Sequence, residues 1–148
     1  MAYIYELEYT VHSVIENLDD AGLAADEPEI SITTSEGFLK LGEDSSVISY
    51  VEATEGGRVA TDITVEDGAI RLTRRGAVVF DAVFREGESF KTVYSIPPYS
   101  FDAEIRTKRI RCDIGKLGGE LRLLYSMNIG GQEKSVRLKI SARPKARA

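Results

Sequence analysis

The chain has 148 residues, of which 43% are apolar and 29% charged, enough for one domain with a sizeable core and too apolar for a disordered chain. No apolar run approaches the ~18–20 residues of a membrane helix, and MAYIYELEYTVHS lacks the basic and apolar regions of a signal peptide, so no membrane association is predicted. The net charge of −5 weighs against nucleic acid as the main partner, and the single cysteine, Cys112, leaves no internal disulfide. A cytoplasmic protein is expected.

In chain order the dominant period is two. YIYELEYTVHSVIE alternates Tyr3, Tyr5, Leu7, Tyr9 and Val11 against a wetter set of Ile4, Glu6, Glu8, Thr10 and His12, the pattern of a long strand with one polar face. NLDDAGLAADEP, ended by Pro28, reads as a loop or one or two helical turns. EISITTSEGFLKL resumes the alternation, with Gly37 marking a bulge or bend. VISYVEA and RVATDITVE are strands about the turn EGG, and DG at Asp67-Gly68 is a tight hairpin signal.

AIRLTRR and AVVFDAVFR flank Gly76. FKTVYSI is broken by PPYS, because proline does not sit inside a central strand. In FDAEIRTKRIRCDI the apolar parity slips from odd (Phe101, Ala103, Ile105) to even (Ile110, Cys112, Ile114), which predicts a bulge between Thr107 and Arg109. ELRLLYSMNI, the turn GGQ and EKSVRLKISA finish the pattern, with a frayed tail expected over residues 143–148.

About ten strands joined by short turns would leave long edges if the sheet stayed open. A single-domain, all-β, closed antiparallel barrel of eight to ten strands is therefore expected, with a sandwich as the alternative. Residues 1–100 carry a net charge of −12 and residues 101–148 a net +7. Acidic and basic strands that become neighbours in a closed sheet would compensate each other.

The runs VISYVEA, TVEDGAIRLTRRG, VFREGE, VYSIPPYSF and LRLLYSMNIGGQEKSVRLKIS, in this order over residues 30–142, resemble the YwiB-like family, a bacterial group of unknown function. The resemblance implies a calycin-type, lipocalin-like β-barrel. It also points to Tyr50 and Glu52 of a Tyr-x-Glu strand and to Arg74, Arg75 and Gly76 as recurring positions. A recurring Tyr-x-Thr-Pro-aromatic-Gly turn is matched at Tyr94 and Pro97, but Ile96 stands for its threonine and Tyr99 for its glycine.

Enzyme motifs are sparse. His12 is the only histidine and lies on the polar parity. One histidine and one cysteine make no zinc quartet, and Cys112 reads as a buried, inert thiol. The pairs Gly56-Gly57, Gly118-Gly119 and Gly130-Gly131 fit strand turns rather than phosphate loops. No metal, cofactor or catalytic residue is predicted.

The inward parity is mostly apolar but carries Tyr50, Glu52, Arg74, Tyr94, Thr107 and Tyr125. An inward arginine stays charged and needs an acid or an anionic ligand. Three readings follow for Arg74: an ion pair with Glu52, a contact to the anionic group of a small ligand, or a position at a strand end in water. Arg71, Thr73 and Arg75 are predicted to face outward.

The first functional expectation is thus a non-enzymatic barrel binding a small apolar or anionic molecule through Arg74, Glu52, Tyr50, Tyr94 and Tyr125. The alternative is a protein- or RNA-interaction module using an outer basic stripe of Arg106, Lys108, Arg109, Arg111, Arg122, Arg137 and Lys139, although that stripe lacks interleaved aromatics. An enzyme in which Arg74, Glu52 and Tyr94 stabilise an anion ranks last, since no nucleophile–base pair accompanies them.

Overall fold

A computed structural model of the chain describes residues 3–24 and 26–145. Its strands are β1 (Tyr3–Asn17), β2 (Glu29–Leu41), β3 (Ser46–Thr54), β4 (Gly57–Glu66), β5 (Ala69–Gly76), β6 (Val79–Phe84), β7 (Ser89–Ile96), β8 (Tyr99–Cys112), β9 (Gly119–Ile129) and β10 (Gln132–Pro144). Each is antiparallel to its chain neighbours, and β1 pairs with β10 to close a barrel. Among the described residues no helix is long and apolar enough to cross a membrane.

The closing seam explains the lopsided charge. Leu7 to Asn17 run against Pro144 to Lys134. This sets Glu8 beside Arg143, Glu16 beside Arg137, and Glu6 and Glu36 beside Lys145. The acidic first strand and the basic last strand neutralise each other across the one junction that is remote in sequence. Arg143 and Pro144, expected in a frayed tail, belong to β10 instead. Residues 146–148 lie outside the described residues.

The β8 register shifts between Thr107 and Arg109, as the slip in parity predicts. The extra residue keeps Ala103 and Ile105 facing the core on one side of the bulge while Arg109 and Arg111 remain exposed on the other. Residues 18–24 form no helix. Asp19 accepts hydrogen bonds from the backbone of Ala21 and Leu23, and an isolated bridge joins Leu18 to Ala24. A side chain that bonds its own following backbone stabilises a turn in competition with a helix.

Gly76 stays in the sheet opposite Val59, with φ of 120°. A Cβ there would lie 2.2 Å from the Arg58 carbonyl oxygen. Only glycine lets β5 keep its pairing to that point and then turn into β6.

The barrel interior has two halves. Leu7, Leu39, Ile48, Ile63, Ile70, Phe84, Ile105, Leu121 and Ile140 are each at most 1% exposed and fill one end. Three aromatic contacts mark the boundary: Tyr9–Tyr50 with ring centroids 5.7 Å apart, Phe84–Tyr125 at 4.8 Å and Phe80–Tyr94 at 5.4 Å. Beyond them lies a cavity.

Ile96 shares the inward parity of Tyr94, and Phe101 that of Ala103, yet they are 48% and 43% exposed. β6 pairs with β7 only at Val79–Ser95 and Phe80–Tyr94. The β7–β8 hairpin therefore runs past the end of its neighbour, and inward parity there points at solvent.

Candidate ligand-binding cavity

The cavity measures about 250 Å³ and draws side chains from nine of the ten strands. Its walls are apolar along Val11, Leu72, Phe80, Met127, Val136 and Leu138, and polar along Ser13, Ser31, Thr33, Glu52, Thr61 and Arg74. It sits at the end of the barrel reached by the C-terminal part of β1, the N-terminal part of β2 and the β3–β4, β5–β6 and β9–β10 hairpins. All five residues assigned to a site from sequence parity, Tyr50, Glu52, Arg74, Tyr94 and Tyr125, line this one space. Inward Thr107 does not. It is buried, and its backbone bonds to Gly87 and Glu88.

Sheet register brings the group together. Tyr50 pairs with Thr61, Thr61 with Arg74, Arg74 with Phe80 and Phe80 with Tyr94. These five side chains form one row around the wall, and Glu52 projects two residues further along β3. Arg74 Nη2 lies 3.7 Å from Glu52 Oε1, and Glu52 is only 8% exposed. The Thr33 hydroxyl donates to Glu52 Oε2. That bond spans a place where the sheet has parted: the β2–β3 ladder stops at Gly37–Tyr50, so Ser31 and Thr33 face Glu52 and Thr54 without backbone pairing between them.

The ion pair expected for Arg74 therefore exists, but it does not saturate the arginine. At 3.7 Å the contact is too long for a hydrogen bond, and no other protein group accepts from the guanidinium among the described residues. A guanidinium carries five N–H donors in a fixed fork. Those of Arg74 face the cavity. The Thr61 hydroxyl, 2% exposed, has no hydrogen bond of normal geometry among the described residues, and its polar neighbour is the Tyr50 phenol.

Burial raises the Tyr50 phenol well above its ordinary value; Glu52 adds to that and Arg74 opposes it. Burial raises Tyr125 likewise, against the pull of Arg74. Both are neutral hydroxyls at neutral pH. Arg71 and Arg75 face outward as predicted, to Asp81 and Asp62, each at 2.8 Å.

Parity missed Ser31 and Thr33. In EISITTS the apolar residues are Ile30 and Ile32, yet these are 61% and 64% exposed while the polar set points inward. The usable signal lies further along: buried Leu39 fixes the odd residues of β2 as the inner set.

The other candidates separate. His12, Arg109, Arg111, Arg122, Leu124, Arg137 and Lys139 line an outer groove of about 360 Å³. Glu120 pairs with Arg122 and Lys139, and Glu16 with Arg137, which leaves Arg109 and Arg111 as the groove's cations without an ion pair among the described residues. Arg106 belongs instead to a broad concavity outside β7–β9 that also carries Lys91, Asp102 and Glu104. Cys112 packs beside the core, and burial pushes its thiol pKa up, so it lacks the thiolate character of a nucleophile. No group of three His, Cys, Asp or Glu is placed to hold a metal among the described residues.

A closed ten-stranded antiparallel barrel, packed at one end and hollow at the other, is thus the class of protein the fold and cavity define. Residues 23–140 match a family model described as a domain of unknown function, DUF1934, and the chain belongs to that family. It is 28% identical over 98 residues to the "Uncharacterized beta-barrel protein YwiB" of Bacillus subtilis, covering 66% of this chain and 69% of that one. The crystal structure of the B. subtilis ywiB protein superposes with a TM-score of 0.82 and 24% identity, over 97% of this chain and 94% of that one. The YwiB-like resemblance and the closed all-β barrel expected from sequence both hold.

Proposed function

We propose that this barrel binds a small molecule in its end cavity and performs no chemistry on it. The observation that carries the reading is Arg74 on the wall of a space of about 250 Å³, where its only ion pair among the described residues is the 3.7 Å contact to Glu52. Mixed apolar walls with a few convergent polar groups are the usual make-up of a ligand pocket. The volume falls just below the ~300–1,000 Å³ typical of drug-sized ligands, which points to a compact ligand. The site carries no nucleophile next to a base, which favours binding over catalysis.

The test is uptake of a compact apolar dye, read by fluorescence and by native mass spectrometry. One dye per chain is expected, displaced by competing small molecules. Ser31 stands at the mouth of the cavity, so Ser31→Trp should block uptake while leaving the melting temperature near its original value. Dye binding that ignores this plug, or no uptake at all, would refute the reading.

A further inference from the structure

The cavity contains one cation and one anion, Arg74 and Glu52, and is neutral as a whole. Their arrangement limits what can enter. Glu52 Oε2 is occupied by the Thr33 hydroxyl, whereas Oε1 stands 3.7 Å from Arg74 with no hydrogen bond of its own among the described residues. An acceptor oxygen and a set of N–H donors thus lie side by side, both open to the same space. The Thr61 hydroxyl, in register between Tyr50 and Arg74, is 2% exposed and has the Tyr50 phenol as its polar neighbour.

An anionic ligand would satisfy Arg74 but bring a second negative charge against Glu52, in a pocket whose other lining residues carry no charge. A cationic ligand would do the reverse against Arg74. Like charges in a poorly solvated site are costly. A neutral head that offers an acceptor beside an N–H avoids both penalties. Its oxygen takes donors from Arg74, its N–H reaches Glu52 Oε1, and the pocket stays neutral.

We infer that the cavity selects an uncharged ligand head with an acceptor next to a donor, a carboxamide or ring amide, on a small aromatic or aliphatic body. The body would rest against Leu72, Phe80, Met127, Val136 and Leu138. This rests on the binding reading above, and it departs from the anionic ligand that an isolated inward arginine suggests.

The experiment uses three probes of nearly the same shape: benzamide, benzoate and benzamidine, neutral, anionic and cationic at pH 7. Affinities would be measured by calorimetry or NMR titration on the full chain. Benzamide should bind the unaltered protein about tenfold or more tightly than either ion, because each ion meets a like charge. Glu52→Gln leaves the site with a net positive charge and should move the preference to benzoate. Arg74→Gln should move it to benzamidine.

Benzoate ranking first on the unaltered protein, or a ranking that neither variant changes, overturns the inference while leaving the binding reading intact. The same holds if the dye enters and none of the probes binds. If dye and probes all fail to bind, both readings fall.

Discussion

Arg74 on β5 lies 3.7 Å from Glu52 on β3, across the intervening strand β4 that carries Thr61. Among the described residues the pair is held from one side only, by Thr33 on Glu52. Neutralising one partner strands the other charge in a mostly buried site. Glu52→Gln or Arg74→Met alone should cost about 1–3 kcal/mol in urea denaturation. The double variant should cost less than the sum of the two, since no unpaired charge remains. Strictly additive losses would show that the two side chains do not interact in solution.

Thr61 is a buried hydroxyl without a good hydrogen bond. Replacing an unsatisfied polar atom by a methyl group of the same shape removes a desolvation penalty. Thr61→Val should therefore leave stability unchanged or raise it by up to about 1 kcal/mol, read as an equal or higher urea midpoint. A clear loss of stability would mean that the hydroxyl is bonded in solution, to ordered water or to the Tyr50 phenol.

The chain has seven tyrosines, and the pKa values of Tyr9, Tyr50 and Tyr125 are all raised, chiefly by burial. A raised pKa means that the fold favours the neutral phenol. This stabilisation is fully present below the unfolded value near 10 and is lost as pH rises from there towards the folded values. The phenolate absorbance of Tyr9, Tyr50 and Tyr125 near 295 nm should appear only together with the loss of β-sheet circular dichroism. A single smooth titration in a protein that remains folded would contradict the burial of these rings.

Two leucines compare the halves of the barrel. Leu39 is fully buried in the packed end, whereas Leu138 is half-buried on the cavity wall. Leu39→Ala opens a void among close-packed neighbours and should cost about 2–5 kcal/mol. Leu138→Ala enlarges an existing space and should cost clearly less, with ligand or dye binding altered instead. Equal losses would argue that the cavity end collapses into a packed core in solution.

Much of this architecture was legible in the chain. Period-two alternation, Gly-rich turns, the break at Pro97-Pro98 and the parity slip at Thr107–Arg109 locate the strands and the bulge, because they depend on neighbours in sequence. The same parity turns Tyr50, Glu52, Arg74, Tyr94 and Tyr125 inward. It fails at Ile96 and Phe101, where orientation no longer implies burial because β6 ends short of them. It fails again at Ile30 and Ile32, where apolar side chains face out and Ser31 and Thr33 face in.

What the sequence determined by itself is therefore the set of strands, the need to close them and the face on which each side chain lies, all consequences of local backbone geometry and of unpaired edges. Tertiary structure alone decided that the interior is packed at one end and hollow at the other. It also decided that β2 and β3 part beside Glu52, and that Arg74 meets Glu52 at a distance leaving both groups open to the cavity. Those features depend on register and on side-chain volumes summed around the whole barrel, which no single strand carries.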